Sequence, residues 1–231
     1  MVAIWMPPTA SWAREPVVLV ASPSDAADRS GSYTFAGQNF GEDYTGRTLI
    51  AVIALFGTGS VALPQTSVTI GGIAATGNDN GHGWNTSPWF GAVGVGMWAA
   101  KNVVGTSGSV VVNFTNTATA AGMFLFSASE ISSVAHFDDV PAGTLSDHGT
   151  NPNVSDTIDV PAGGLLLGGL GENNTSAITL TGITKRHEMT VDGHLFAAGY
   201  DYRLPAQTGR TIGYSATGNQ VWASQFMTFS V

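Results

Sequence analysis

The sequence predicts an all-β protein: a single jelly-roll-like β-sandwich over residues 16–231, preceded by an extended N-terminal arm over residues 1–15. Three observations carry this expectation. Apolar residues recur with a period of two or in short continuous runs, and no long segment has helical periodicity. Turn signals return about every ten residues, the rhythm of a sandwich or open barrel. There is no cysteine, so stability must come from packing and strand pairing alone.

The elements follow in order. Pro7-Pro8 lies between Trp5 and Trp12, and a proline pair suits neither a helix nor a central strand. Exposed tryptophans are costly, so the arm, with Trp5, Met6, Pro7, Pro8 and Trp12, is expected to pack on a partner surface. Val17–Ala21 is a first strand and Ser32–Phe35 a second. Arg47–Phe56 is nearly all apolar, as for a strand buried on both faces. Val68–Ala75 folds around Gly71-Gly72. Glycines in Trp89–Ala99 leave room for a close neighbour. In Ser109–Thr115, Val110, Val112 and Phe114 share one face and Val111, Asn113 and Thr115 the other.

The second half continues with Met123–Glu130, then Thr157–Val160 leading through Pro161–Gly164 into Leu165–Leu170, then Ala177–Leu180. Arg186–Val191 and His194–Tyr200 flank Asp192-Gly193, the strongest hairpin signal in the chain. Arg210–Ser215 and Gln220–Val231 complete it. Composition does not shift sharply, and no exact internal repeat is visible.

Charged residues make up 10% of the 231 positions, against about a quarter in an average globular chain. The surface must instead be covered by Gly, Ser, Thr and Asn, short uncharged groups suited to packing against copies of the same chain. The net charge is −8, with only eight Lys and Arg. No cluster of cations is available to displace counterions, so nucleic acid is not an expected partner. No apolar run reaches the length of a bilayer span, and Met1–Glu15 lacks the pattern of a secretory signal. Membrane insertion is therefore not expected.

Few constellations point to chemistry. The five histidines, His82, His136, His148, His187 and His194, contain no HExxH pair. Asp138, Asp139, Asp147 and His148 lie near His136, but Pro141 and Gly143 mark the stretch as a loop, and no metal ligand is assigned. Asn78-Asp79-Asn80-Gly81 has half the look of a calcium loop without its alternation or distal Glu, and reads as a tight turn. There is no GxSxG elbow. Glu130, Glu172 and Glu188 are the carboxylates that a glycoside hydrolase would need, singled out only by default. No catalytic residue and no cofactor are assigned. Asn78, Asp79, Asn80, His82, Trp84 and Asn85 could together form a polar loop with an aromatic platform, the surface on which sugars stack.

The segments Gly31-Ser-Tyr-Thr-Phe35, Arg47-Thr-Leu-Ile-Ala-Val-Ile53 and Ser67-Val-Thr-Ile-Gly-Gly-Ile-Ala-Ala75 resemble, in that order, a recurrent architecture of tailed-bacteriophage structural proteins. These pair a short aromatic strand, a buried apolar strand and a VTIGG hairpin. The resemblance covers the first third of the chain best. It implies a virion component, as a head decoration or part of a tail tip or fibre, at the particle surface, with copies of itself and other virion proteins as partners. It brings no catalytic residues. The expectation is therefore a non-enzymatic, self-assembling structural protein. The alternative is a carbohydrate-binding sandwich that recognises a cell-surface glycan through the Trp84 stretch.

Overall fold

The computed structural model describes residues 15–58, 61–85, 91–140 and 146–231, and for Asn80, Trp84, Asn85 and Asn219 the backbone alone. Trp5, Met6, Pro7, Pro8 and Trp12 of the arm, and Trp89, lie outside the described residues. Among the described residues all regular structure is β-strand, as the sequence predicts.

The strands of the first half are β1 Val17–Ala21, β2 Ser24–Asp25, β3 Arg29–Asn39, β4 Thr48–Gly57, β5 Gln65–Ile70, β6 Ile73–Ala74, β7 Thr76–Asn85, β8 Gly91–Lys101, β9 Ser107–Ala118 and β10 Ala120–Ala128. Those of the second half are β11 Asp138–Asp139, β12 Asp147–Thr150, β13 Asn153–Val160, β14 Gly164–Glu172, β15 Thr179–Thr181, β16 Lys185–Val191, β17 His194–Leu204, β18 Gln207–Ser215 and β19 Asn219–Phe229. They pair antiparallel in four sheets. Sheet A runs β1-β10-β4-β8-β7 with β2 beside β10, and sheet B runs β3-β9-β5-β6. Sheet C runs β11-β19-β14-β17-β16 with β12 beside β19, and sheet D runs β13-β18-β15.

The alternation of side chains fixes how the sheets stack. On β4, Leu49, Ala51, Ile53 and Leu55 pack with Tyr33, Phe35, Val68, Val110 and Val112 of sheet B. The intervening Ile50, Val52, Ala54 and Phe56 pack with Leu167, Phe196, Ala198 and Met227 of sheet C. On the far side of sheet C, Leu166 and Phe226 meet Ile158 and Ile212 of sheet D. The layers are therefore B, A, C, D. The continuous apolar run of β4 follows directly, since every residue from Thr48 to Gly57 is buried and neither face needs a polar residue. The sandwich expected from the sequence is present with four layers rather than two.

The two halves repeat one topology. Taking β1, β3, β4, β5, β7, β8, β9, β10 as strands one to eight of the first half, and β11 with β13 to β19 as those of the second, one sheet of each half has the order 1-8-3-6-5 and the other 2-7-4, with β2 and β12 as the matching short strands beside strand eight. The registers agree as well. Strands three and eight begin their pairing at Thr48 opposite Ala128 in the first half and at Leu165 opposite Phe229 in the second, and Leu55, opposite Ala121, and Glu172, opposite Trp222, each lie seven residues further on. Leu55 and Glu172 thus hold equivalent positions, as do Ile53 and Leu170 two residues earlier. The repeat is invisible in the sequence because apolar residues of different size substitute for one another wherever the layer thickness is conserved.

Glycine sets the approach of the two inner sheets. A Cβ at Gly81 or Gly83 of β7 would collide with the carbonyl oxygens of Ser224 and Trp222 on β19. At Gly169 and Gly171 of β14 it would meet the side chains of Val52 and Val93. This corrects the tight turn expected at Asn78–Gly81. The segment is instead strand β7, paired to β8 with a bulge between Asn78 and Gly81. Tertiary contact with sheet C overrides the local turn preference of its residues. The Asp192-Gly193 hairpin is as expected, with φ of 48° and 79°, the left-handed pair that a two-residue turn of this type requires.

Candidate functional site

Three groups of residues could carry function: the polar residues of β7, the isolated buried polar groups, and the outer faces of sheets B and D.

On β7, Asn78 turns toward sheet C and donates to Asp139 at 2.5 Å. Asp79 turns toward sheet B and accepts the Gln65 backbone N–H. Gln65 in turn donates to the Ile53 carbonyl at 2.9 Å and accepts from Trp98 Nε1 at 2.8 Å. His82 Nε2 lies 3.6 Å from Asp79. Burial pushes the Asp79 carboxyl up to about 8, against the opposing pull of the Gln65 N–H. Burial also pushes His82 down. At neutral pH the two are an uncharged carboxyl beside a neutral imidazole, not an ion pair. Asp79 therefore ties β7 to β5 under the surface. The side chains of Asn80, Trp84 and Asn85, the rest of the expected sugar-stacking loop, lie outside the described residues.

The other sequence candidates are dispersed. His136 Nε2 lies 3.5 Å from Asp139, and His148 Nδ1 lies 3.1 Å from Asp147. No group of three or more potential ligands gathers among the described residues. Asp138 serves the fold: it accepts the Asp159 N–H at 2.6 Å and so holds β13. Glu130 pairs with Arg203 at 2.9 Å and Glu188 with Lys185 at 2.8 Å, both at the surface. Glu172 has no exposure at all. Neither of its oxygens completes a hydrogen bond, although the Tyr214 hydroxyl lies beside it and itself donates to Gln220 at 2.8 Å. Burial pushes the Glu172 carboxyl up to about 8; Tyr214 opposes this and Glu188 adds to it. A carboxyl sealed in this way is out of reach of a polymeric substrate.

Arg47, also fully buried, is a group the sequence reading passed over. Its guanidinium donates to the carbonyls of Phe40 at 3.2 Å, Glu42 at 2.8 Å, Val103 at 2.5 Å and Gly105 at 2.6 Å. One side chain thus closes the 40–46 loop onto the 102–106 loop. Five donors in a fixed fork suit Arg to this task better than Lys.

The outer faces are the largest regular surfaces. On sheet B, Tyr33, Val110, Val112, Val68 and Ile70 face inward, so Ser32, Thr34, Ser67, Thr69, Val111 and Asn113 face out. Ser32 lies opposite Asn113, and Asn113 opposite Ser67, with Asn113 donating to the Ser67 hydroxyl at 2.9 Å. On sheet D, Thr157 lies opposite Thr211, Ser155 opposite Gly213, and Asn153 opposite Ser215. Thr179 and Thr181 extend the last two rows. Both ends of the stack therefore present uncharged rows rich in hydroxyls and amides, with Val111 between Thr34 and Thr69 as the apolar centre of one row on sheet B. The alternation read in Ser109–Thr115 had given one row of the first face. Which rows align across strands is set by register, which the sequence does not fix.

No protein-family model, curated protein or solved structure matches this chain.

Proposed function

We propose that this chain is a non-enzymatic structural subunit of a phage or phage-like particle, working by assembly with copies of itself and with other particle proteins. The observation that carries this reading is the pair of uncharged Ser/Thr/Asn faces at the two ends of the four-layer stack. Charges are depleted at the centres of protein interfaces, and short side chains lose little rotamer entropy on docking. A chain with such a face at either end can contact two neighbours at once, which is what a repeating shell or fibre requires. The low overall charge and the resemblance of the first third to phage structural proteins support the same reading.

The test is the assembly state. Mass photometry of the full chain should give defined multiples of the 23.8 kDa protomer, and antibodies to the chain should label intact particles from its source. Thr157→Lys with Thr181→Lys, which charges the face of sheet D, should abolish the larger species while leaving the melting temperature unchanged. A monomer at all concentrations, absent from particles, would refute the proposal.

A further inference from the structure

The inner faces of sheets A and C form a seam between the two sandwiches, and two histidines of sheet C lie in it. His194, at the start of β17, stacks on Phe56 of β4, with ring centroids 4.7 Å apart and planes 4° from parallel. His187 of β16 lies among Phe124 and Phe126 of β10, at 6.0 and 5.7 Å, and Tyr200 of β17, at 6.2 Å. One nitrogen of each ring, His194 Nδ1 and His187 Nε2, is buried with no hydrogen-bond partner. A neutral imidazole tolerates this because one of its nitrogens carries no proton. An imidazolium has two N–H donors and a charge, and here one donor would point into apolar surroundings.

The strands that face the two rings offer little compensation. Residues 48–57, 91–100 and 120–128 of β4, β8 and β10 contain no Asp, Glu, Lys, Arg or His. The remaining titratable groups of sheet A are engaged elsewhere: Lys101 at the end of β8 donates to the Ile131 and Ser132 carbonyls, Asp25 of β2 pairs with Arg29, and Asp79 of β7, with His82 3.6 Å from it, accepts the Gln65 N–H on the side of sheet B. The titratable groups nearby belong mainly to sheet C. Burial first, and then the charge of Arg186, disfavour a positive charge on His187; Arg186 lies over the Tyr200 ring at 4.4 Å. Lys185 and Glu188 of β16 pair with each other. Tyr202 of β17 and Glu15 at the entrance to β1 act on Tyr200. Asp192 and the Asn173 backbone favour protonation of His194, but burial outweighs them. Glu172, next to Leu195 in register, points to the outer layer.

We propose that His187 and His194 are an acid-sensitive latch: protonation loosens the seam between the two sandwiches while the core inside each sandwich persists. The sign follows from linkage. Both imidazoles are held below their ordinary pKa when the seam is closed, so an open seam binds more protons. Closure is then fully favoured above the ordinary histidine pKa and weakens as pH falls through it. This holds whether or not the chain is a particle subunit. The raised carboxyls of Asp79 and Glu172 act in the opposite direction, but they point away from the seam toward sheets B and D and are common to the variants compared.

The test is hydrogen exchange between about pH 7.5 and about pH 5, corrected for intrinsic rates, on the wild type and on a His187→Phe/His194→Phe variant that keeps the ring contacts. In the wild type at the acid end, β4, β14 and β17 should lose protection relative to β9 and β18 by roughly tenfold or more. The double variant should keep it. Equal acid loss in both proteins, or no loss in either, overturns the proposal. A second readout needs no variant: the His187 and His194 resonances of the wild type should titrate below the ordinary histidine range, and titration within that range also overturns the latch.

Discussion

Leu55 and Glu172 occupy equivalent positions in the two halves of the chain, each two residues past an outward-facing aliphatic on the third strand of its half. Leu55 completes an apolar layer. Glu172 puts a carboxyl of zero exposure and no completed hydrogen bond in the corresponding layer. The second half thus carries a polar group that the first half shows the architecture does not need.

The first prediction follows from this pair. Burial pushes the Glu172 carboxyl from its ordinary 4.5 up to about 8 in the folded state. The folded state therefore holds the extra proton, and its stability is greatest below the unfolded pKa and falls as pH rises from there to about 8. Glu172→Gln removes the titration. It should stabilise the protein at pH 8 to 9 by on the order of 3 kcal/mol and at pH 5 by little, read as chemical denaturation midpoints at each pH.

Asp79 follows the same rule at a separate site, with a folded-state pKa of about 8 against 3.8. Asp79→Asn retains an acceptor for the Gln65 N–H and should likewise remove part of the loss of stability at alkaline pH. The two carboxyls point away from the seam toward opposite outer sheets, so the gains of the double variant should add to within about 0.5 kcal/mol. A strongly non-additive pair would show that the layers are coupled.

Arg47 gives a prediction of opposite sign. Arg47→Met fills comparable volume but leaves the carbonyls of Phe40, Glu42, Val103 and Gly105 without their donor. A loss of about 3 kcal/mol or more is expected, with the 40–46 and 102–106 loops becoming the first sites of proteolysis. Arg47→Lys should recover only part, since an ammonium cannot span both loops.

Gly83 tests how the two sandwiches meet. Gly83→Ala places a methyl group against the Trp222 carbonyl, a backbone atom that cannot swing aside. It should cost about 3 kcal/mol or prevent folding. Gly149→Ala is the control: its new methyl would lie 3.6 Å from the Trp222 ring, an ordinary contact, and the melting temperature should move little.

The sequence by itself determined the local structure. Period-two alternation identified the core face of β9, continuous apolar character identified β4 as buried on both sides, and Asp192-Gly193 fixed a hairpin. These are nearest-neighbour effects of backbone conformation and side-chain polarity, so they are legible without knowing the fold. Tertiary structure decided the rest. It made Asn78–Asn85 part of a strand, because Gly81 and Gly83 let β7 lie against the backbone of β19 although Asn78-Asp79-Asn80-Gly81 favours a turn. It sealed the carboxyls of Asp79, which the sequence places in a tight turn, and of Glu172, which the sequence leaves among the candidate acids of a hydrolase, because burial depends on which sheet covers a strand and not on the residue's type. It aligned Ser and Thr from distant segments into two outer ladders and set His187 and His194 in one seam. Register and layer order are properties of contacts between residues far apart in sequence, and no single stretch of chain encodes them.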